Sequence, residues 1–211
     1  MNSISTVDEQ QLQVLMARQP IYTKTKEVVA CELLFRDESG QFVKGLKDDE
    51  ATLNVLLNTY SSVPDKSSVR QAPLFLKVND TFLLEHDIPE IPRESFVLEV
   101  IGSTAITPKL VERIDFLVKE GFKVALADYD PTDPRFNALL NLVHIVKIDL
   151  RKFQLDELPN VVRQLRRKGM ELLADKVETV DEFQACQRMG FDLFMGYFLS
   201  KPQLVRGRRV Q

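Results

Sequence analysis

The chain is poor in the residues that build the commonest metal and nucleophile sites. Its 211 residues include two cysteines, Cys31 and Cys186, and two histidines, His86 and His144. No CxxC or Cys/His cluster forms from them, which excludes a zinc site and a disulfide framework and leaves the cysteines as small buried hydrophobes of a reducing compartment. No Ser/His/Asp or Cys/His arrangement is present, so nucleophilic hydrolysis of that kind has no carrier. A basic excess is missing too: 28 Lys and Arg against 31 Asp and Glu give a net charge of -3. That balance argues against a nucleic acid duplex as partner, while repelling no small anion locally. No apolar run reaches membrane-spanning length, and the polar, acidic start "MNSISTVDEQQLQ" has neither the basic nor the apolar region of a signal peptide. The expected location is cytoplasmic, with no membrane partner.

What is present suits one sizeable core: 44% hydrophobic and 28% charged residues. The expected division is a polar N-terminal extension over 1–13, one barrel domain over 14–202 and a basic tail or linker over 203–211. Strand-like runs recur, among them "LQVLMARQPIYT", "EVVACELLFR", "APLFLKVN", "SFVLEV", "KVALAD", "HIVKIDL", "ELLADKV" and "LFMGYFL". Several are continuously apolar, which points to parallel strands buried on both faces. Helical patterns lie between them: "DEATLNVLLNTYSSV", "TPKLVERIDFLVKEGF" ending near Gly121, "LPNVVRQLRRKG", and "TVDEFQACQRMGF" opening on Thr179 and ending near Gly190. Eight strands alternating with helices predict an α/β fold, a modified TIM (β/α)8 barrel. Only "TKTKE" separates the first two strands, too few residues for a crossover helix, so they are expected to form an antiparallel N-terminal hairpin.

Chemistry in such a barrel sits at the C-terminal ends of the strands. Polar residues cluster there: Glu32, Asn79, Glu99, Asp128, Lys147 with Asp149, and Asp175. Lys147 and Asp149 are two apart and share a face, and a lysine inside a barrel needs an acidic partner. Oxygen donors of this kind suit Mg²⁺, Mn²⁺ or Ca²⁺ and, through them, phosphate-ester chemistry. Each residue alone also reads as an ordinary polar cap on a strand end. The basic cluster Arg166, Arg167 and Lys168 reads best as charge matched to a helix C-terminus.

These segments resemble the EAL domain, the cyclic di-GMP phosphodiesterase family, over roughly Ala17 to Pro202. "RQPIYT" is similar to its opening strand, and "CELLFR" sits where Glu-Ala-Leu and the following Leu-Arg belong. "VND" resembles the metal asparagine segment, "LEVIGS" the Glu-Ile-Thr-Glu-Ser segment and "ALADYD" the Ala-Leu-Asp-Asp-Phe-Gly segment. "VKID", "ADKVET" and "FMGYFLSKP" match the Lys-Ile-Asp, Ala-Glu-Gly-Val-Glu-Thr and closing Gln-Gly-Tyr segments. The wording of the two ends resembles the EAL-like half of EAL-HDOD proteins, which makes a neighbouring HDOD domain, not in this chain, a candidate partner. The resemblance implies Glu32, Asn79, Glu99 and Asp128 as metal ligands, with Lys147 near the attacking water. It further implies Gln19 and Arg36 as contacts to the dinucleotide, Glu32 and Asp175 in the ligand-binding set, and Glu178 as a guanine contact or brace.

The departures from the family pattern bear on the chemistry. Ala127 stands where an aspartate bridges two metals, and a methyl group coordinates nothing. Gly102 replaces a bracing glutamate, "DPTDPRF" replaces a glycine-rich loop with one carrying two prolines, Asp175 is a methylene shorter than the family's glutamate, and Met195 replaces a glutamine. The expectation is a catalytically degenerate signalling regulator. It would act by protein interaction, with cyclic di-GMP a candidate ligand, in motility or biofilm control, and would require no cofactor. The alternative is a weak metal-dependent cyclic di-GMP phosphodiesterase that uses Mg or Mn and releases pGpG.

Overall fold

Period-two alternation decides what each strand shows to the barrel interior. In the segment Ile145–Asp149 one face carries Ile145, Lys147 and Asp149 and the other carries Val146 and Ile148. The same phase recurs around the sheet and separates an inner wall from a helix-facing one. The computed structural model describes residues 15–36, 42–43, 72–88, 91–101, 105–154 and 156–205. The helix expected over 49–63 and the position of Gly102 lie outside the described residues.

Eight strands close the barrel. β1 (Leu15–Thr23) and β2 (Val28–Arg36) form the antiparallel hairpin, in register from Leu15 opposite Arg36 to Tyr22 opposite Val28, with a bulge at Ile21/Tyr22. Parallel to β2 follow β4 (Leu74–Val78), β5 (Phe96–Ile101), β6 (Lys123–Ala127), β7 (Ile145–Asp149), β8 (Glu171–Asp175) and β9 (Leu193–Phe194). β1 completes the ring by pairing antiparallel with β9 through Tyr22 and Phe194. Two short strands add to the rim: β3 (Phe42–Val43) on β2, and β10 (Gln203–Val205) on β1. The first residues of the tail therefore belong to the sheet.

Five helices are described on the outside: α1 (Asp80–Glu85), α2 (Pro108–Lys119), α3 (Phe136–Leu140), α4 (Leu158–Arg167) and α5 (Val180–Met189). Local sequence sets their ends. Thr107 Oγ1 accepts the Leu110 N–H ahead of Pro108, and Thr179 and Glu182 form a reciprocal capping box. Gly121 and Gly190 follow α2 and α5 with φ of 94° and 95°, the left-handed turn that glycine adopts without a Cβ clash. Arg166 ties the end of α4 to the segments that enter β8 and β9, donating to the carbonyls of Met170 and Gly190 and to Asp192 Oδ1. Asp192 in turn accepts the Leu172 N–H. Arg166 is thus occupied by the fold.

Two apolar layers result. The inner one, made of Ile21, Ala30, Phe75, Val97, Ala125, Ile145, Leu173, Leu193 and Met195, plugs the barrel floor. The outer one lies between the sheet and the helices, with Leu76, Leu98, Leu126, Ile148 and Leu172 facing Leu110, Ile114, Leu139, Leu165 and Phe183. Burial pushes the Cys31 thiol up to about 11 and the Cys186 thiol up to about 12, so both are inert packing groups at neutral pH. Among the described residues no helix is long and apolar enough to cross a membrane.

The closing segment after β9 lies directly on the turn after β8: Val177 N–H donates to Met195 O and Phe198 N–H to Val177 O. Any Cβ at Gly196 would overlap the backbone N, C and O atoms of Val177. Gly196→Ala should therefore lower the unfolding free energy by about 3 kcal/mol. Gly169→Ala, whose Cβ meets nothing within 4 Å and suffers only from φ of 77°, should lower it by about 1 kcal/mol. Urea denaturation of the two variants side by side checks the difference; equal losses would refute the backbone-overlap account.

Candidate functional site

Above the apolar floor the inward phase turns polar. Lys147 on β7 is the centre, with a side chain 4% exposed. Its Nζ lies 2.6 Å from Glu32 Oε2 on β2, 3.2 Å from Glu99 Oε1 on β5 and 3.6 Å from Asp175 Oδ2 on β8. Four strands are thus joined through one ammonium, and the partner that a barrel lysine needs is a set of three carboxylates.

A second lysine enters the same cluster. Lys77, on β4 between the strands of Glu32 and Glu99, lies 2.6 Å from Glu32 Oε1 and 4.0 Å from Glu99 Oε1. The contact to Oε1 is a close ion pair whose angle departs from that of an ideal hydrogen bond. Sequence reasoning missed Lys77. The signal was available in "LFLKV", where it sits two residues after the inward Phe75 and so on the barrel side, as Lys147 does after Ile145.

The cluster governs its own protonation. Burial alone would raise the Glu32 carboxyl, but the ammoniums of Lys147 and Lys77 outweigh it and hold the group at about 2. Glu99 goes the other way: burial, then the charge of Glu32, push it up to about 7 against the pull of both lysines. Burial would lower both lysines, yet Glu32 above all keeps Lys77 above its ordinary value and Lys147 well above it.

Outside this core the strand ends open into a cavity of about 1000 Å³. Gln19, Lys77, Asp128, Arg151, Lys152 and Tyr197 are among its lining residues. Gln19, opposite Glu32 in the hairpin register, donates through Nε2 to Ser200 O at 3.2 Å and braces the closing segment. Asp128 follows β6 in the left-handed region, φ 54°, which a short acid tolerates better than most residues. Its Oδ1 lies 2.6 Å from Lys152 Nζ. Asp149 holds Arg151, Nη2 to Oδ2, at 2.7 Å. In the loop after β6, Asp130 accepts from the backbone and hydroxyl of Thr132 and Asp133 from Arg135.

The structure brings Glu32, Glu99, Lys147 and Asp175 together and sets Gln19 and Asp128 in the same mouth. Asn79 caps α1, its Oδ1 accepting the Phe82 N–H at 2.7 Å. Glu178 is exposed after β8, its N–H donating to Glu182 Oε2. Arg36 is the last residue of β2.

The donor set can be tested against a divalent cation. Among the described residues no group of three or more His, Cys, Asp and Glu side chains converges to hold a metal ion. Every carboxylate of the expected set already faces a lysine: Glu32 faces Lys77 and Lys147, Glu99 faces Lys147, and Asp128 faces Lys152. A divalent ion about 4 Å from one of these ammoniums would be repelled by roughly 8 kcal/mol at an effective dielectric of about 20, which offsets part of its attraction to the carboxylates. In this arrangement the residues do not fit such a cation.

A family model described as the EAL domain matches residues 77–202. The chain belongs to the EAL domain family. It is 34% identical over 200 residues to the Vibrio cholerae cyclic di-GMP phosphodiesterase CdgJ, covering 92% of this chain and 46% of that protein. It is 31% identical over 201 residues to YuxH of Bacillus subtilis, covering 93% of this chain and 49% of that one. The chain thus spans about half the length of these relatives. Among solved structures, the Klebsiella pneumoniae BlrP1 complex with calcium and cyclic di-GMP superposes with a TM-score of 0.72 at 20% identity, over 98% of this chain and 59% of that one. That likeness fixes the fold, the EAL version of the TIM barrel.

In this EAL domain Glu99 and Glu32 give opposite pH signatures. Glu99 sits at about 7 in the fold against an ordinary 4.5, so the folded chain keeps a proton that the unfolded chain releases; its contribution is present below about 4.5 and is lost as pH rises to about 7. Glu32, held at about 2, contributes above about 4.5, and that contribution is lost as pH falls towards 2. Thermal unfolding should therefore show a loss between pH 5 and 7 on the order of 3 kcal/mol, absent in Glu99→Gln, which is neutral throughout. An unchanged slope in the variant would refute the assignment.

Proposed function

We propose that this domain is a catalytically degenerate member of the EAL family that acts by binding, with cyclic di-GMP as the ligand of the barrel mouth and a protein partner reading out the bound state. The observation that carries it is the engagement of Glu32, Glu99 and Asp128 by lysines, so that the oxygens expected to hold metal are held by ammoniums instead. Ala127, at the end of β6 and lining the cavity, adds no donor where the family resemblance implies a bridging aspartate. A two-metal displacement needs two cations about 3.5 to 4 Å apart, and each 1.36 kcal/mol lost from the transition state is about tenfold in rate. Hydrolysis has lost its machinery on this reading, while the binding surface remains: a cavity of about 1000 Å³ with Gln19, Arg151, Lys152, Lys176 and Tyr197 in its lining.

The name of CdgJ supports cyclic di-GMP as the ligand class, and YuxH and CdgJ, each about twice the length matched, support a second domain beside this one. The resemblance makes an HDOD domain the candidate and cytoplasmic control of motility or biofilm behaviour the setting.

Calorimetric titration with cyclic di-GMP, in Ca²⁺ and again in EDTA, should give saturating heat in both buffers. Tyr197→Ala should weaken it about tenfold through loss of a stacking ring. Chromatography after incubation with Mn²⁺ should show no pGpG. A flat trace would remove the nucleotide and leave the protein partner; accumulation of pGpG would overturn the degeneracy and restore the phosphodiesterase reading.

A further inference from the structure

Lys77 is the sole charged side chain of β4. β4 lies between β2 and β5, and in the parallel register Lys77 stands beside Glu99. Its ammonium therefore enters the barrel between the two strands that carry the buried glutamates. We propose that Lys77 is the resident cation of this domain, its ammonium taking the place of a divalent metal beside Glu32 and Glu99 and leaving the mouth independent of metal.

Most of the carboxylate charge is balanced without an added ion. Glu32, Glu99 and Asp175 meet Lys77 and Lys147, three carboxylates against two ammoniums. A divalent cation would add two charges where at most one is uncompensated, which is unfavourable unless a lysine leaves. Position supports the same assignment. Lys77 is 28% exposed while Glu32 beneath it is 1% exposed, and Lys77 lines the cavity. An ammonium has three N–H donors. One serves Glu32 Oε1, 2.6 Å away, which leaves donors for an anion arriving from the cavity. Lys77 thus stands between a buried carboxylate and the ligand space, as a bridging cation does. Resting on the reading of the mouth as a nucleotide site, this makes phosphodiester binding a matter of lysine rather than of metal.

Removing Lys77 would leave Glu32 Oε1 bare, and that gives the test. Wild type, Lys77→Ser and Lys77→Gln are titrated with Mn²⁺, followed by calorimetry and by the electron paramagnetic resonance of free Mn²⁺, with cyclic di-GMP titrated in parallel in EDTA and in Mn²⁺. Wild type should take up no Mn²⁺ below about 1 mM, whereas the variants should gain one site at least about tenfold tighter, lost again when Glu32→Gln is added. Nucleotide affinity of wild type should be the same in EDTA and Mn²⁺ within about twofold. Mn²⁺ binding by wild type as tight as by the variants overturns the assignment, and so do variants that gain no site. If neither variant folds, the wild-type titration decides alone: uptake of Mn²⁺ below about 1 mM overturns, and its absence with unchanged nucleotide affinity supports. The expected Mn²⁺ pattern with no cyclic di-GMP binding by any protein supports Lys77 as the cation and removes the nucleotide reading instead.

Discussion

A lysine ammonium buried inside a β-barrel is the constraint on which the rest of the mouth depends. Lys147 has its nitrogen among Glu32, Glu99 and Asp175, drawn from three other strands. Removing a charge from water costs several kcal/mol, so none of the four can be buried without the others, and the strand register that brings them together is fixed as firmly by charge as by packing. The apolar floor of Phe75, Val97, Ile145 and Leu173 sets the depth at which this happens. Below it, alternation supplies hydrocarbon; above it, the same inward phase supplies charge. The barrel therefore changes character within two residues along β4, β5, β7 and β8, from Phe75 to Lys77, from Val97 to Glu99, from Ile145 to Lys147 and from Leu173 to Asp175.

That regularity explains why the fold was legible in the sequence. Continuous apolar runs, a five-residue spacer too short for a helix, and Thr107, Thr179, Gly121 and Gly190 at helix ends are local signals, and each is realised locally. Part of the tail was not legible, because "QLV" is too short to announce a strand; β1 supplies the edge that makes Gln203–Val205 one. A three-residue strand is a property of its neighbour more than of itself.

The site was legible only in part, and the gap has a physical reason. Glu32, Glu99, Asp128 and Asp175 stand out as acids ending apolar strands, and Lys147 as a lysine that needs them. A motif comparison asks which expected residues are present, and by that measure Asn79 counts as a match. The structure shows its Oδ1 also capping the first turn of α1, a structural role that a motif comparison does not reveal. Lys77 escaped for the opposite reason: no expected role was attached to it, and a lysine near a strand end reads as solvated. Its meaning depends on which strands flank β4, a fact of topology rather than of the local sequence.

A metal and an ammonium solve the same electrostatic problem with different consequences. A divalent ion offers empty coordination positions, polarises a phosphoryl oxygen and lowers the pKa of bound water. An ammonium offers N–H donors and a single charge, enough to hold a phosphodiester but unable to generate hydroxide. It is also covalently tethered, so the charge it supplies does not depend on the supply of metal. The loop after β6, with Asp130 and Asp133 folded onto their own neighbours and two prolines in its backbone, adds little freedom to rearrange. Tethered cations, occupied carboxylates and a stiff loop all favour one fixed arrangement of the mouth over a succession of them. A receptor needs such an arrangement to recognise its ligand, whereas a hydrolase needs in addition groups aimed at the charge that develops as its substrate reacts.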